Sequence, residues 1–196
     1  FLLDAVHYAP HFSIDVKKLD CDFLLCSAYK FYGPHVGILY SKPSLLDKFN
    51  TNNLITQNQN SPYKIETGTL NHAACNGVSK AIDFISTLGE GNYYREKLVD
   101  AYKKLGKHEY KLASLLYKEL KKMKKITVIG GNFSSKKRTP TISFIHKHKS
   151  PIEICKILGE NNICAWAGHF YAIKAIQKLK LEKVGGVTRL GISIYN

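Results

Sequence analysis

The sequence predicts an α/β protein built in two unequal parts and joined by one long helix. Three observations carry that expectation. Short apolar runs alternate with helical patterns in residues 1–91; a long, charged helical pattern covers 92–125; and the elements after it read β-β-α-β-α-β over 126–196. The 196 residues are 44% hydrophobic and 22% charged, an ordinary globular balance that excludes collagen-like, coiled-coil and disordered classes.

Taken in order, Phe1 to Val6 reads as a buried strand that ends at an acidic residue, Asp4. Ile14 to Leu19 reads as a helical turn, Cys21 to Ser27 as a second buried strand, Tyr29 to Pro34 as a loop and Val36 to Tyr40 as a third strand. Ser44 to Phe49 reads as a short helix, and Thr51 to Pro62 as a polar, exposed loop. His72 to Leu88 has helical periodicity, with Asn71 as its cap and Gly89 as its stop. Gly106 interrupts the long pattern of 92–125, and a kink is expected there. In the last part, Ile126 to Ile129, Thr139 to His146, Ile163 to Trp166 and Val187 to Tyr195 read as strands. Pro151 to Asn161 and Tyr171 to Leu179 read as helices, the first with proline in its opening turn.

The chain does not start with Met, and it opens and closes inside apolar runs, so a piece of a longer protein is expected. Phe1 to Asp4 lacks the basic leader of a signal peptide, and no apolar run reaches the ~20 residues of a membrane span. The formal charge is +14, which raises nucleic-acid binding. Only Arg95, Arg138 and Arg189 are arginines, however, and arginine is the residue that forks onto bases and phosphates. The Lys118–Lys125 cluster instead suits the end of a helix and a solvated face, so no nucleic-acid partner is expected. Five cysteines without a secreted spacing pattern fit a reducing, cytoplasmic compartment. His7 and His11 with Cys21 and Cys26 form a superficial metal set, but an odd separation within a strand points the two thiols to opposite faces, and no metal is expected.

Asp4 falls at the carboxyl end of the first strand and Lys30 just past the carboxyl end of the second. That edge is where open α/β sheets bind ligands. An ordinary ion pair would also account for these two residues taken alone. Lys30, however, sits in Ser27-Ala28-Tyr29-Lys30-Phe31-Tyr32-Gly33-Pro34, where hydroxyls suited to a phosphate flank an amine held among aromatic rings. Losing solvation favours the neutral amine and makes it a better nucleophile toward a carbonyl. A Schiff base to pyridoxal phosphate needs such a lysine and an acidic partner for the ring nitrogen.

DAVHYAPH (4–11), DCDFLLCSAYKFYGPHVGILY (20–40), ETGTLNH (66–72) and GVTRLGISIYN (186–196) together resemble the class V aminotransferase family, closest to its cysteine-desulfurase-related branch. The order and spacing match over essentially the whole chain, as the C-terminal half of such an enzyme. The resemblance implies a PLP-binding large domain with a mostly parallel sheet ending at residue 91, a linking helix over 92–125, and a small α/β domain over 126–196. It implies pyridoxal 5'-phosphate as cofactor, an amino acid as substrate and a homodimer. Position by position, it makes Asp4 the partner of the pyridine nitrogen and Lys30 the Schiff-base lysine and proton shuttle. His7 stands where desulfurases usually have a Gln on the cofactor's phenolic oxygen. Ser27 and Tyr29 become phosphate ligands, Tyr29 in place of a common His. Thr69 reaches the neighbouring subunit's phosphate, and Arg189 forks onto the substrate carboxylate. His169 and Tyr171 line the substrate side. Structural alternatives stay open for four of these: a satisfied loop histidine (His7), core packing (Tyr29), a helix-start residue (Thr69) and a structural ion pair (Arg189).

One departure bears on the reaction. The stretch Gly168-His169-Phe170-Tyr171-Ala172 corresponds to the Gly-His-His-Cys-Ala loop of desulfurases, with Tyr171 at the position of the sulfur-accepting Cys. A phenol carries no persulfide. Cys164 lies close in sequence but is expected in the preceding strand, facing core. Two readings follow: a desulfurase-, selenocysteine-lyase- or aminotransferase-like enzyme, or a non-catalytic truncated homologue that keeps the fold for a structural or partner-binding role.

Overall fold

The computed structural model describes residues 1–134 and 138–196. The chain divides into two compact units, Phe1–Lys104 and Leu105–Asn196, and the division falls inside one helix.

The first unit carries a three-stranded sheet in the order β1 (Leu2–Asp4), β2 (Phe23–Ser27), β3 (Gly37–Ser41). β1 pairs with β2 in parallel, and β2 pairs with β3 antiparallel. The short connection after β2 leaves no room for a crossover, so β3 must return antiparallel. One face of this sheet is covered: Leu24 is buried with Ala5 and Cys21, and Leu3, Ile14, Val16 and Tyr40 pack around them. The opposite face carries Leu2, Leu25 and Leu39, which are 54%, 37% and 41% exposed. β1 was expected to be buried, but it forms the sheet's edge, and its first residue lies open. Cys21 is buried ahead of β2, which starts at Phe23, so strand alternation does not govern the relation between Cys21 and Cys26.

Helix α1 (Val16–Leu19) is capped by Asp15, whose carboxylate accepts the Lys18 N–H. The expected short helix near residue 44 is a 3-10 turn, Leu46–Lys48. The polar stretch that follows is held by its own amides. Gln57 Nε2 donates to the carbonyls of Tyr63 and Glu66, and Gln59 Nε2 to those of Leu54 and Gln57. The buried Lys64 places Nζ 2.8 Å from the Phe49 carbonyl. Helix α2 (His72–Thr87) begins where Asn71 accepts the Ala74 N–H and buries Ala81 and Ile85. Gly89 follows it. A Cβ there would lie 1.9 Å from the Lys97 carbonyl oxygen, so the chain passes the next helix backbone to backbone. Arg95 Nη2 donates to the Ile14 carbonyl at 2.6 Å.

Helix α3 (Tyr94–Lys122) is helical throughout its 29 residues and continues through Gly106. Neighbouring helical residues on both sides outweigh the ~1 kcal/mol that one glycine costs.

The second unit carries an antiparallel sheet in the order β4 (Ile126–Ile129), β5 (Thr141–His146), β7 (Val187–Gly191), β6 (Trp166–Gly168). Its core joins Ala113 and Leu120 of α3 to Phe133, Ile142 and Phe144. Arg138 stacks 4.2 Å from the centre of the Phe133 ring and donates to the Thr141 carbonyl. Helix α4 (Pro151–Glu160) opens with a full capping box: Ser150 accepts from the Glu153 N–H, and Glu153 accepts from the Ser150 N–H. Helix α5 (Ile173–Lys178) is shorter than expected, since Phe170 and Tyr171 stand in the left-handed region before it. β6 also lies two to three residues later than its apolar pattern suggests. Its register is set by Gly186, where a Cβ would lie 2.3 Å from the Gly168 carbonyl oxygen. Cys164 is therefore outside the strand and exposed, not facing core.

Among the described residues, no helix is long and apolar enough to cross a membrane. Nor does any group of three or more His, Cys, Asp or Glu side chains gather as a metal site.

Candidate functional site

The parallel register of β1 and β2 brings two strand ends to one edge of the first sheet. Asp4 closes β1 opposite Leu25, and β2 runs on to Ser27 before turning. Asp4 is exposed, and its Oδ1 accepts the Val6 N–H at 3.0 Å. The Ala5 N–H donates to the Leu25 carbonyl at 2.8 Å and ties this corner to β2. His7 lies exposed on the turn that follows.

The expected loop after β2 is a 3-10 turn, Ala28–Phe31. Ala28 and Phe31 point inward and are buried, which turns Tyr29 and Lys30 outward. The Ala28 N–H donates to the Val36 carbonyl and the Gly33 N–H to the Ala28 carbonyl, both at 2.9 Å. Tyr32 takes φ +71°, and at Gly33 a Cβ would lie 3.0 Å from the Ala28 carbonyl oxygen. The turn is thus pinned at both ends. Lys30 is half-buried, with Nζ 4.9 Å from the centre of the Tyr29 ring. Tyr29 is 44% exposed and stacks on His35 at 4.8 Å and 16°, so it is not a core residue. Ser27 is half-buried, and its hydroxyl makes no capping bond to the turn. Thr69 is exposed; Asn71 caps α2, so Thr69 stands outside the helix rather than starting it.

The other expected residues lie in the second unit. Arg189 sits on β7 opposite Trp166. Its guanidinium lies 3.7 Å from the centre of the Phe170 ring. No ion pair engages it among the described residues, which does not favour the structural ion-pair alternative. Partial burial holds its pKa below the usual arginine value, though such a group stays charged. His169 is exposed, and its Nδ1 lies 3.1 Å from the Tyr171 N–H. Tyr171 is 96% exposed and takes φ +63°. Burial pushes the Cys26 thiol upward, away from the thiolate that reactivity needs.

Within the first unit, then, Asp4, His7, Ser27, Tyr29 and Lys30 belong to one sheet edge and its two turns. Within the second, Arg189, His169 and Tyr171 belong to the β6–β7 corner. Two contributors had no sequence reading of their own: His35, which supports Tyr29, and Phe170, which covers Arg189. The aromatic run His169-Phe170-Tyr171 behind a glycine was the available signal for the second.

A sheet followed by a long helix and a small antiparallel α/β unit fits the fold that the resemblance implies, the C-terminal part of a PLP-dependent transferase. Solved structures agree. The chain superposes on a cysteine desulfurase from Thermococcus onnurineus NA1 with a TM-score of 0.84 at 25% identity, covering 100% of this chain and 48% of that one. It superposes on the cysteine desulfurase CsdA from Escherichia coli with a TM-score of 0.75 at 25% identity, covering 100% and 47%. Among curated proteins, the Aminotransferase-like protein FGM3 of Gibberella zeae is 30% identical over 199 residues, 99% of this chain and 47% of that protein. A probable cysteine desulfurase of Halalkalibacterium halodurans is 28% identical over 207 residues, 100% and 46%. The chain belongs to the aminotransferase class-V family, whose model matches residues 1–196. It spans about half the length of these curated relatives.

Proposed function

We propose that the protein carrying this chain is a pyridoxal-phosphate enzyme acting on an amino acid, of the cysteine desulfurase, selenocysteine lyase or class V aminotransferase type. The observation that carries the reading is the parallel β1–β2 register. It sets a carboxylate, Asp4, and an amine, Lys30, at one sheet edge, with the hydroxyls of Ser27 and Tyr29 in the same turn. That donor set fits the cofactor: a carboxylate for a protonated ring nitrogen, hydroxyls for a phosphate, a primary amine for an aldehyde.

Bound there, the cofactor supplies an electron sink for the bond broken beside the α-carbon. The chain's residues do the rest. Asp4 keeps a positive charge on the ring nitrogen by standing against it. His7 donates to the phenolic oxygen. Ser27 and Tyr29 hold the phosphate, with His35 keeping the Tyr29 ring in plane. Lys30 Nζ is the point of covalent attachment, and it takes and returns a proton on the substrate side. Arg189 binds the substrate carboxylate through two parallel N–H bonds. Thr69, exposed ahead of α2, serves the phosphate of a second copy, which makes the protein a homodimer. His169 and Tyr171 face the substrate. A cytoplasmic setting fits five free cysteines.

Tyr171 at the sulfur-accepting position favours a second reading, a non-catalytic homologue that keeps the fold for partner binding. Cys164 offers no direct substitute, since it precedes β6 whereas the Gly168–Tyr171 turn follows it. A borohydride trap separates the two readings. The full-length protein is incubated with pyridoxal phosphate, reduced and digested, and the modified peptide is weighed. A pyridoxyl group on Lys30 supports the enzyme. A folded protein with no adduct on Lys30 leaves the retired scaffold as the better account.

A further inference from the structure

We infer that Phe170 is a positioning residue that clamps Arg189 for carboxylate binding, an aromatic platform built into the turn after β6. The inference rests on the reading of Arg189 as the carboxylate ligand.

Four observations meet at this corner. The guanidinium lies over the Phe170 ring, with Cζ 3.7 Å from the ring centre, well inside the range of a cation–π contact. The ring is itself anchored, since Phe170 packs against the cluster of Ile176, Leu181 and Val187. The backbone reaches this position through Gly168 at φ +129° and then two successive non-glycine residues in the left-handed region, Phe170 at +53° and Tyr171 at +63°. Left-handed bulky residues are rare, and they persist where surrounding structure over-determines them. Finally, among the described residues no hydrogen bond or ion pair takes the guanidinium's N–H groups, while the ring lies beneath it.

The chemistry follows from that arrangement. A ring on one face removes water from the guanidinium plane without using any of its five donors. The donors stay in the plane, free for a bidentate partner. Holding the long side chain in one rotamer before the ligand arrives reduces what binding must order. Burial already pulls the Arg189 pKa below its ordinary value, in keeping with a partly dehydrated cation. Tyr171, 96% exposed on the same turn, makes no such contact, so the two neighbouring aromatics divide into a support and a free end.

The test uses the full-length protein loaded with pyridoxal phosphate, labelled with ¹⁵N-arginine and titrated with L-alanine. Arg189 Nε–Hε is expected upfield of an ordinary arginine because of the ring current. Phe170→Leu keeps an apolar side chain against Ile176 and Leu181 but removes the ring face. It should abolish that upfield shift and weaken L-alanine binding about tenfold, with KM for a turned-over amino acid rising and kcat little changed. Phe170→Trp restores a ring face and should recover both signals, which also guards against a Leu variant that folds poorly. If Arg189→Lys weakens L-alanine but Phe170→Leu alters neither the resonance nor the affinity, the clamp is wrong and the carboxylate reading survives. If Arg189→Lys leaves the affinity unchanged, the carboxylate reading fails, and the clamp falls with it.

Discussion

The turn after β2 and the turn after β6 are built in opposite ways. The turn after β2 is short, 3-10 in form and pinned by backbone bonds at both ends, with Ala28 and Phe31 buried beneath it. The turn after β6 is left-handed and exposed at its tip, and its hold on the sheet is one aromatic ring and a glycine pair. On the proposed function, the first would present the lysine for cofactor attachment and the second would present residues to the substrate. An attachment point gains from rigidity, because its atom must return to one place on every cycle. A substrate-facing tip gains from adjustability.

Four substitutions would break or sharpen that contrast. The largest effect is expected from Lys30→Ala. Removing the amine from the rigid turn should abolish retention of pyridoxal phosphate after gel filtration, read from its visible absorbance, while the thermal midpoint stays near that of the cofactor-free parent. A lost fold would instead show that the turn depends on Lys30 for stability. Next is Gly186→Ala. Its Cβ would lie 2.3 Å from the Gly168 carbonyl oxygen, and φ +88° disfavours any side chain, so about 3 kcal/mol of stability should be lost on denaturant unfolding. A neutral result would mean that the β6–β7 corner is soft as well as its tip. Gly33→Ala tests the other turn. Its Cβ would meet the Ala28 carbonyl oxygen at 3.0 Å, a contact small shifts can relieve, and a loss of about 1 kcal/mol is expected. The smallest effect belongs to Tyr171→Ala, which at 96% exposure should change stability by less than about 0.5 kcal/mol. A larger loss would show that the tip is packed after all.

The same contrast explains what the sequence disclosed. Elements with local signatures were readable: Asn71 ahead of an apolar helical stripe, Pro151 opening α4, and the apolar run behind Lys30. The placement of Asp4 and Lys30 on one edge followed from strand ends, which are also local. β6 was misplaced by two to three residues because Ile163 to Trp166 is the more apolar stretch. Its register is decided by a contact between Gly168 and Gly186, far apart in sequence. The exposure of Cys164 went wrong with it. The 3-10 turn at Lys30 had no periodic pattern to announce it. Phe170 showed only as part of an aromatic run behind a glycine, because the residue it supports lies on β7.

The open face of the first sheet has a practical consequence for handling this polypeptide. Leu2, Leu25 and Leu39 put exposed apolar surface on one face of the sheet, with Leu2 on its edge strand, the kind of surface that chaperones grip and that fluorescent hydrophobic dyes light up. A preparation of these 196 residues by themselves should therefore bind such a dye strongly and clump as its concentration rises. Quenching of that fluorescence by an added polypeptide would give a simple assay for whatever surface completes the sheet.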